Sequence, residues 1–187
     1  MRIPTRDPNL RIFLQVGGLA KDEEADMLAV RDYIRPLIPH FTEYFYKVLL
    51  SEPQIVPYFE GRIEQLKKTH ILWLESLFNG EYGAEFILAQ EKIGAAHLRM
   101  RIPPLFVTAS MSFLRGAMPR ILAARVPDAG AAVAATATLL RLLDLCQYLI
   151  DRAYDQVLTD NLGISPALLM RLQTAGKAFV VRAETFP

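Results

Sequence analysis

The segment from Ala129 to about Thr159 constrains the fold more than any other. It contains no proline, and its apolar residues recur at helical spacing: Leu139, Leu140, Leu142, Leu143, Leu145, Cys146, Leu149, Ile150, Ala153, Val157 and Leu158. The polar positions Arg141, Asp144, Gln147, Asp151, Arg152, Asp155 and Gln156 cover less than half of the circumference. A surface helix needs an apolar stripe of only ~100°, so a wider one must bury a second face. Two arrangements do this. The helix is central within its own subunit, or it forms the seam of a homodimer. In the second case the helix from Pro103 to about Arg125, with Met111, Phe113, Leu114, Met118 and Ile121, joins it in an intersubunit bundle.

Prolines and glycines divide the rest into further helices. Arg11 to Val16 reads as a short leading helix ended by Gly17-Gly18, and Lys21 to Arg35 has acids in its first turn and stops before Pro36. Ile38 to Leu50 follows. Ser51-Glu52-Pro53 reads as an N-cap with proline in the first turn of a short segment reaching Phe59. Arg62 to Phe78 ends at Asn79-Gly80, and Ala84 to Arg99 precedes the proline-started helix. Val126-Pro127-Asp128 breaks that helix, and Ser165-Pro166 opens a last one to about Val180. Few runs alternate with period two, so the fold is expected to be all-α.

The 187 residues carry 21 Lys and Arg against 20 Asp and Glu, a formal charge of +1. Charge this balanced gives no electrostatic case for nucleic acid or an anionic membrane surface. With 52% apolar and 22% charged residues the chain is globular rather than disordered. The single cysteine, Cys146, excludes an internal disulfide and a Cys-only zinc site, and it is compatible with a reducing compartment. Arg2, Arg6, Asp7 and Arg11 interrupt any signal-peptide core. The stretch Ala129 to Leu143 contains Arg141 and reads as too short and too charged for a membrane span. A cytoplasmic protein is expected.

No Walker loop, dinucleotide fingerprint, GxSxG, HExxH or zinc-spaced His/Cys cluster is present, so nothing nominates a hydrolase or transferase. The histidines are His40, His70 and His97. A lone histidine among apolar residues is ordinarily structural. His97 has a more specific setting, in KIGAAHLRMRIPP, where small residues precede it and a short break leads to a proline-started helix. Such an elbow can hold an imidazole against a large planar ligand, and histidine is a common protein ligand of haem iron. Upstream, Phe41, Phe45, Phe59, Tyr44, Tyr46 and Tyr58 form an aromatic group, and Leu66, Thr69 and Trp73 share a helix face. His70 neighbours Thr69 but is turned ~100° from it, so it is expected to be structural or solvent-facing. Iron contact in a ligand-free state is its other reading. His40 is expected to be structural.

The stretches FYKVLLSEP, LKKTHILWLESLFNGEY and EKIGAAHLRMRIPPLFV resemble the globin domain of globin-coupled sensors, protoglobins and sensor single-domain globins. The resemblance runs from about Phe41 to Phe106, with continuation to about Leu158. It implies a globin-like fold with an extra N-terminal helix, a domain over 1–160 with an extra helix or linker over 161–187, and dimerisation through the last two long helices. It implies haem b (iron protoporphyrin IX) with His97 as the proximal iron ligand. Tyr46 would donate a hydrogen bond on the distal side, with Thr69 as a second polar group and Leu66 as an apolar neighbour. Phe45 belongs to the same pocket. Ile93, Ile102 and Phe106 would line the proximal side, and Leu72 and Trp73 would touch the haem edge. Lys68, Arg99 and Arg101 are the candidates for pairing the propionates.

The function this implies is sensing of O2, CO or NO without catalysis, with a possible output domain or protein downstream; the sequence leaves no room for an output module after its final helix, so a single-domain globin or an excised sensor domain is expected. The alternatives are an enzyme-like globin acting on nitric oxide, nitrite or peroxide, and a haem-free regulatory globin serving as an interaction domain.

Overall fold

The computed structural model describes residues 5, 7–19 and 23–174. Eight α-helices follow one another there: α1 Pro8–Gly17, α2 Glu23–Ile34, α3 Ile38–Leu49, α4 Ile63–Ser76, α5 Ala84–Arg99, α6 Pro104–Arg125, α7 Ala129–Leu162 and α8 Pro166–Thr174. Short 3₁₀ turns at Arg35–Leu37 and Val56–Tyr58 flank α3, and no strand occurs among the described residues. The helix ends follow the expected punctuation. Asp7 caps α1 by accepting from the Asn9 and Leu10 amides, Asp128 caps α7 by accepting from Ala131 N, and left-handed Gly18 and Gly163 close both helices. Ser165 Oγ accepts from Leu168 N at 3.2 Å, the cap foreseen for α8. The expected continuation of α8 towards Val180 lies outside the described residues.

Ser51 behaves differently. Its hydroxyl donates to Val48 O at 2.6 Å, back onto the end of α3, so it is no N-cap. Residues 51–55 form turns, and the next helical turn begins only at Val56.

α7 is the central helix. It packs against α5, α6 and α2, and α1 and α8 also touch it. Ala132, Ala135, Leu139, Leu142, Leu143, Leu145, Cys146, Leu149 and Ile150 are buried within the single chain. This accounts for most of the wide apolar face. By length and composition α7 is apolar enough to cross a membrane, and its role as the core helix explains that apolarity. Beyond Ala153, Thr159 is still buried, but the apolar residues Val157, Leu158 and Leu162 are exposed. On α6, Met111, Leu114 and Met118 are also buried inside the chain.

The α5–α7 contact is the tightest. A Cβ built on Gly94 would lie 2.8 Å from Ile150 O and 2.9 Å from Ala153 Cβ. Real Cβ atoms do not approach a backbone oxygen so closely, so glycine is required for the two helix backbones to meet. Gly94→Ala is therefore expected to lose about 1–3 kcal/mol of unfolding free energy through overpacking. Gly116→Ala on α6, where nothing lies within 4 Å of the added methyl, is expected to gain about 0.5–1 kcal/mol. Urea unfolding of both variants measures the contrast.

Candidate functional site

α5 ends in a way that fixes its last turn. Ile102 N donates to His97 O at 3.0 Å and Arg101 N donates to Leu98 O at 2.9 Å. This is the paired closure of a Schellman motif, with Arg101 in the left-handed region at φ 55°. A non-glycine residue there costs roughly 1 kcal/mol or more. Tyr154 on α7 donates its hydroxyl to Ile102 O at 2.9 Å and holds the elbow from the other side. His97 therefore sits on a turn locked at both ends, one helical turn beyond Gly94.

A cavity of about 430 Å³ opens beside it. Its walls come from α3 (Phe45, Tyr46, Leu49), α4 (Leu66, Thr69, His70, Trp73), α5 (Lys92, Ile93, Ala96, His97, Met100), the elbow (Ile102) and α6 (Phe106, Val107, Ser110, Met111, Leu114). Ile150 of α7 also reaches it. The structure thus brings together Phe45, Tyr46, Leu66, Thr69, Trp73, Ile93, His97, Ile102 and Phe106. Leu72 does not join them; it is 65% exposed on α4, away from the lining. Thr69 is an exposed residue at the rim, and its hydroxyl donates to Leu66 O at 2.9 Å. Lys68, Arg99 and Arg101 are exposed and off the lining; the basic residue on the cavity wall is Lys92.

His70, expected to be structural or solvent-facing with iron contact as its other reading, is packed into the cavity wall. Leu66, Thr69, His70 and Trp73 follow an i, i+3, i+4, i+7 stripe, and both central positions belong to it. The His70 ring stacks on Phe45 at 4.5 Å and lies 5.6 Å from the Trp73 ring, so it is sandwiched. Tyr46 meets it edge-on at 5.7 Å. Its Nδ1 is 3.1 Å from Thr42 Oγ1. Trp73 is fixed in turn, donating Nε1–H to Gln90 Oε1 of α5 at 2.9 Å, and Gln90 is 1% exposed.

Three polar groups on this apolar lining have no protein partner. His70 Nε2 is buried without a hydrogen bond, and so is His97 Nδ1. His97 Nε2 and the Tyr46 hydroxyl make none either among the described residues, though both atoms retain accessible surface. Buried polar groups are nearly always paired. Tyr82 and Tyr154 obey that rule through Leu77 O and Ile102 O. Burial also sets the protonation states. It pushes the Tyr46 phenol up, lowers His97, and brings His70 down to about 4. Both imidazoles are neutral near pH 7, the form that ligates metals. Among the described residues no group of three or more His, Cys, Asp or Glu could hold an ion on its own. A metal carried by a porphyrin needs one such ligand and an apolar slot, and the residues present fit that group.

The His70 environment has a consequence for stability. Its folded value lies below the ~6.5 of an unfolded histidine, so the unfolded chain takes up the proton first as pH falls. Stability from this group is complete above pH 6.5 and drains away towards pH 4, by about 3 kcal/mol at most. In urea unfolding of the haem-free chain, the loss between pH 7 and pH 4.5 is expected to be smaller in His70→Gln than in the parent.

Known proteins share this fold. The globin domain of the Geobacter sulfurreducens globin-coupled sensor superposes with a TM-score of 0.71 at 21% identity, covering 77% of this chain and 96% of that one. The ferric globin domain of Escherichia coli DosC gives 0.65 at 15% identity, covering 76% and 99%. At such identities the likeness establishes a shared globin fold. Among curated proteins none matches this chain in sequence. The protoglobin family model matches residues 8–159, from the start of α1 almost to the end of α7, and the chain belongs to the protoglobin family.

Proposed function

We propose that the cavity holds haem b with His97 as the protein ligand of the iron, and that the protein senses a diatomic gas. The observation that carries this is the imidazole of His97, buried on a locked turn, neutral, and free of any hydrogen bond among the described residues. The ferric state named for the DosC globin domain supports the same cofactor here. When bound, haem supplies an iron that takes up O2, CO or NO reversibly.

The chain's own residues do the rest. His97 holds the cofactor through one nitrogen. Phe45, Phe106 and Met111 exclude water from the cavity, which strengthens any hydrogen bond formed there. The unpartnered Tyr46 hydroxyl is a donor awaiting an acceptor, and a polar diatomic ligand such as O2 meets that need better than CO. Lys92 at the rim can pair a propionate. Gly94 couples α5 to α7, whose far end exposes Val157, Leu158 and Leu162. These residues, with Leu105 on α6, support a homodimer through the two long helices and a signal passed to a downstream partner. The free, buried Cys146 and the balanced charge support a cytoplasmic setting.

Purified protein supplied with haem is expected to show a Soret band. His97→Gly is expected to lose it and to regain it when free imidazole is added. A Soret band of parental intensity and position in His97→Gly without imidazole would overturn the assignment. In Tyr46→Phe, oxygen dissociation is expected to quicken about tenfold, the worth of one buried hydrogen bond of roughly 1.4 kcal/mol, with CO affinity little changed. Stopped-flow and flash photolysis measure both, and equal weakening of the two gases defeats the donor role.

A further inference from the structure

Two buried helical threonines, Thr42 and Thr138, turn their hydroxyls away from their own helices; Thr138 donates to Asp26 Oδ2 at 3.0 Å, and Thr42 faces a histidine ring. Thr69, Ser76, Thr159 and Thr174 each donate to a carbonyl of their own helix, at 2.6–2.9 Å. Thr42 is 0% exposed on α3, and its hydroxyl makes no such bond. Its one hydrogen bond among the described residues is with His70 Nδ1 at 3.1 Å.

A neutral imidazole has one donor nitrogen and one acceptor nitrogen. A buried O–H must find an acceptor, and among the described residues the one group bonded to the Thr42 hydroxyl is Nδ1 of His70. The hydroxyl therefore donates, and the proton of the His70 ring resides on Nε2, the nitrogen buried without a partner. The opposite arrangement places the proton on Nδ1 and turns the Thr42 oxygen into the acceptor; it leaves both the Thr42 O–H and the Nε2 lone pair unpaired, whereas the first leaves only Nε2–H. The Phe45–Trp73 sandwich prevents the ring from escaping the choice by rotating outward.

We propose that Thr42 is a positioning residue that holds His70 as the Nε2–H tautomer, so that His70 meets a ligand in the cavity as a hydrogen-bond donor and is held back from coordinating the iron. This rests on the haem reading of the cavity. Coordination needs the Nε2 lone pair, which this tautomer lacks. Thr42 thus keeps the gas position open and adds a second donor beside Tyr46.

The test compares Thr42→Val, which matches threonine in shape without the hydroxyl, with Thr42→Ser, which retains it. Long-range ¹H–¹⁵N NMR of the His70 ring reads the tautomer directly, in the protein as purified and in its diamagnetic ferrous CO complex. Nε2–H is expected in the parent and in Thr42→Ser, and the Nδ1–H form is expected to appear in Thr42→Val. In the haem-loaded protein without gas, absorption spectra of Thr42→Val are expected to shift towards a low-spin six-coordinate form that His70→Phe abolishes, and oxygen is expected to leave about tenfold faster. Thr42→Ser is expected to restore both. A parent with Nδ1–H on His70, or a Thr42→Val protein with the parental tautomer and spectrum, overturns the inference. Thr42→Ala serves for the same comparison if the valine variant folds poorly. A chain that takes up no haem defeats the functional reading, and the nitrogen shifts then decide the role of Thr42 on their own.

Discussion

The close approach of α5 and α7 at Gly94 is the constraint on which the site depends. Backbone meets backbone there, with no side chain between Gly94 and Ile150 O. That contact sets the height and tilt of α5 over the core helix, and His97 follows three residues later. The Schellman closure at Arg101 and the Tyr154 hydroxyl on Ile102 O then fix the end of the same turn. Three separate devices position one imidazole. None of them uses the imidazole's own nitrogens, which are thereby left for chemistry.

The lining carries an energetic cost. A polar group buried without a partner costs about 1–3 kcal/mol, against a total stability of about 5–15 kcal/mol for a domain. His70 Nε2 and His97 Nδ1 belong to residues that line one apolar cavity, so this cost falls there. The same chain satisfies Tyr82 and Tyr154 with ordinary carbonyls, and it pairs the Trp73 indole with a buried Gln90. The two unpartnered imidazole nitrogens thus belong to the cavity wall. A ligand that bonds such a nitrogen removes its cost, and binding energy of that kind also stabilises the folded state.

Much of the architecture was legible because its signals are local. Proline and glycine fix a helix end wherever they stand, so α5 spans Ala84–Arg99 as the sequence indicates and α6 begins at the expected proline. Ser51 misled because a serine before Glu-Pro satisfies the N-cap pattern equally well when its hydroxyl turns back onto the preceding helix. The site was legible where side chains share a stripe with His97 or Trp73. It was not legible for His70, because the angle between adjacent residues says nothing about how wide the buried stripe is. Leu72 shows the converse error. The family resemblance implied a haem-edge contact for it, yet it is 65% exposed, since only tertiary packing decides which flank of a helix is covered. Lys92 sits one turn before Ala96 on the same face, a spacing visible in the sequence, but its charge masked it as a surface residue.

The same packing that positions His97 also determines how a change at the site leaves it. Close-packed interfaces yield by shifting as units rather than by gradual deformation. A flexible side chain between α5 and α7 would absorb a small displacement of His97 by changing rotamer. Gly94 offers no such buffer, so a displacement of α5 must either be resisted or move α7 at Ile150, a residue that itself borders the cavity. α7 is a single helix from Ala129 to Leu162 with no proline to kink it, and helices without such a break curve only gently. Motion imposed near its middle therefore reaches its end, where Val157, Leu158 and Leu162 are bare. The apolar surface that the chain leaves uncovered is thus mechanically continuous with the imidazole it leaves unpaired.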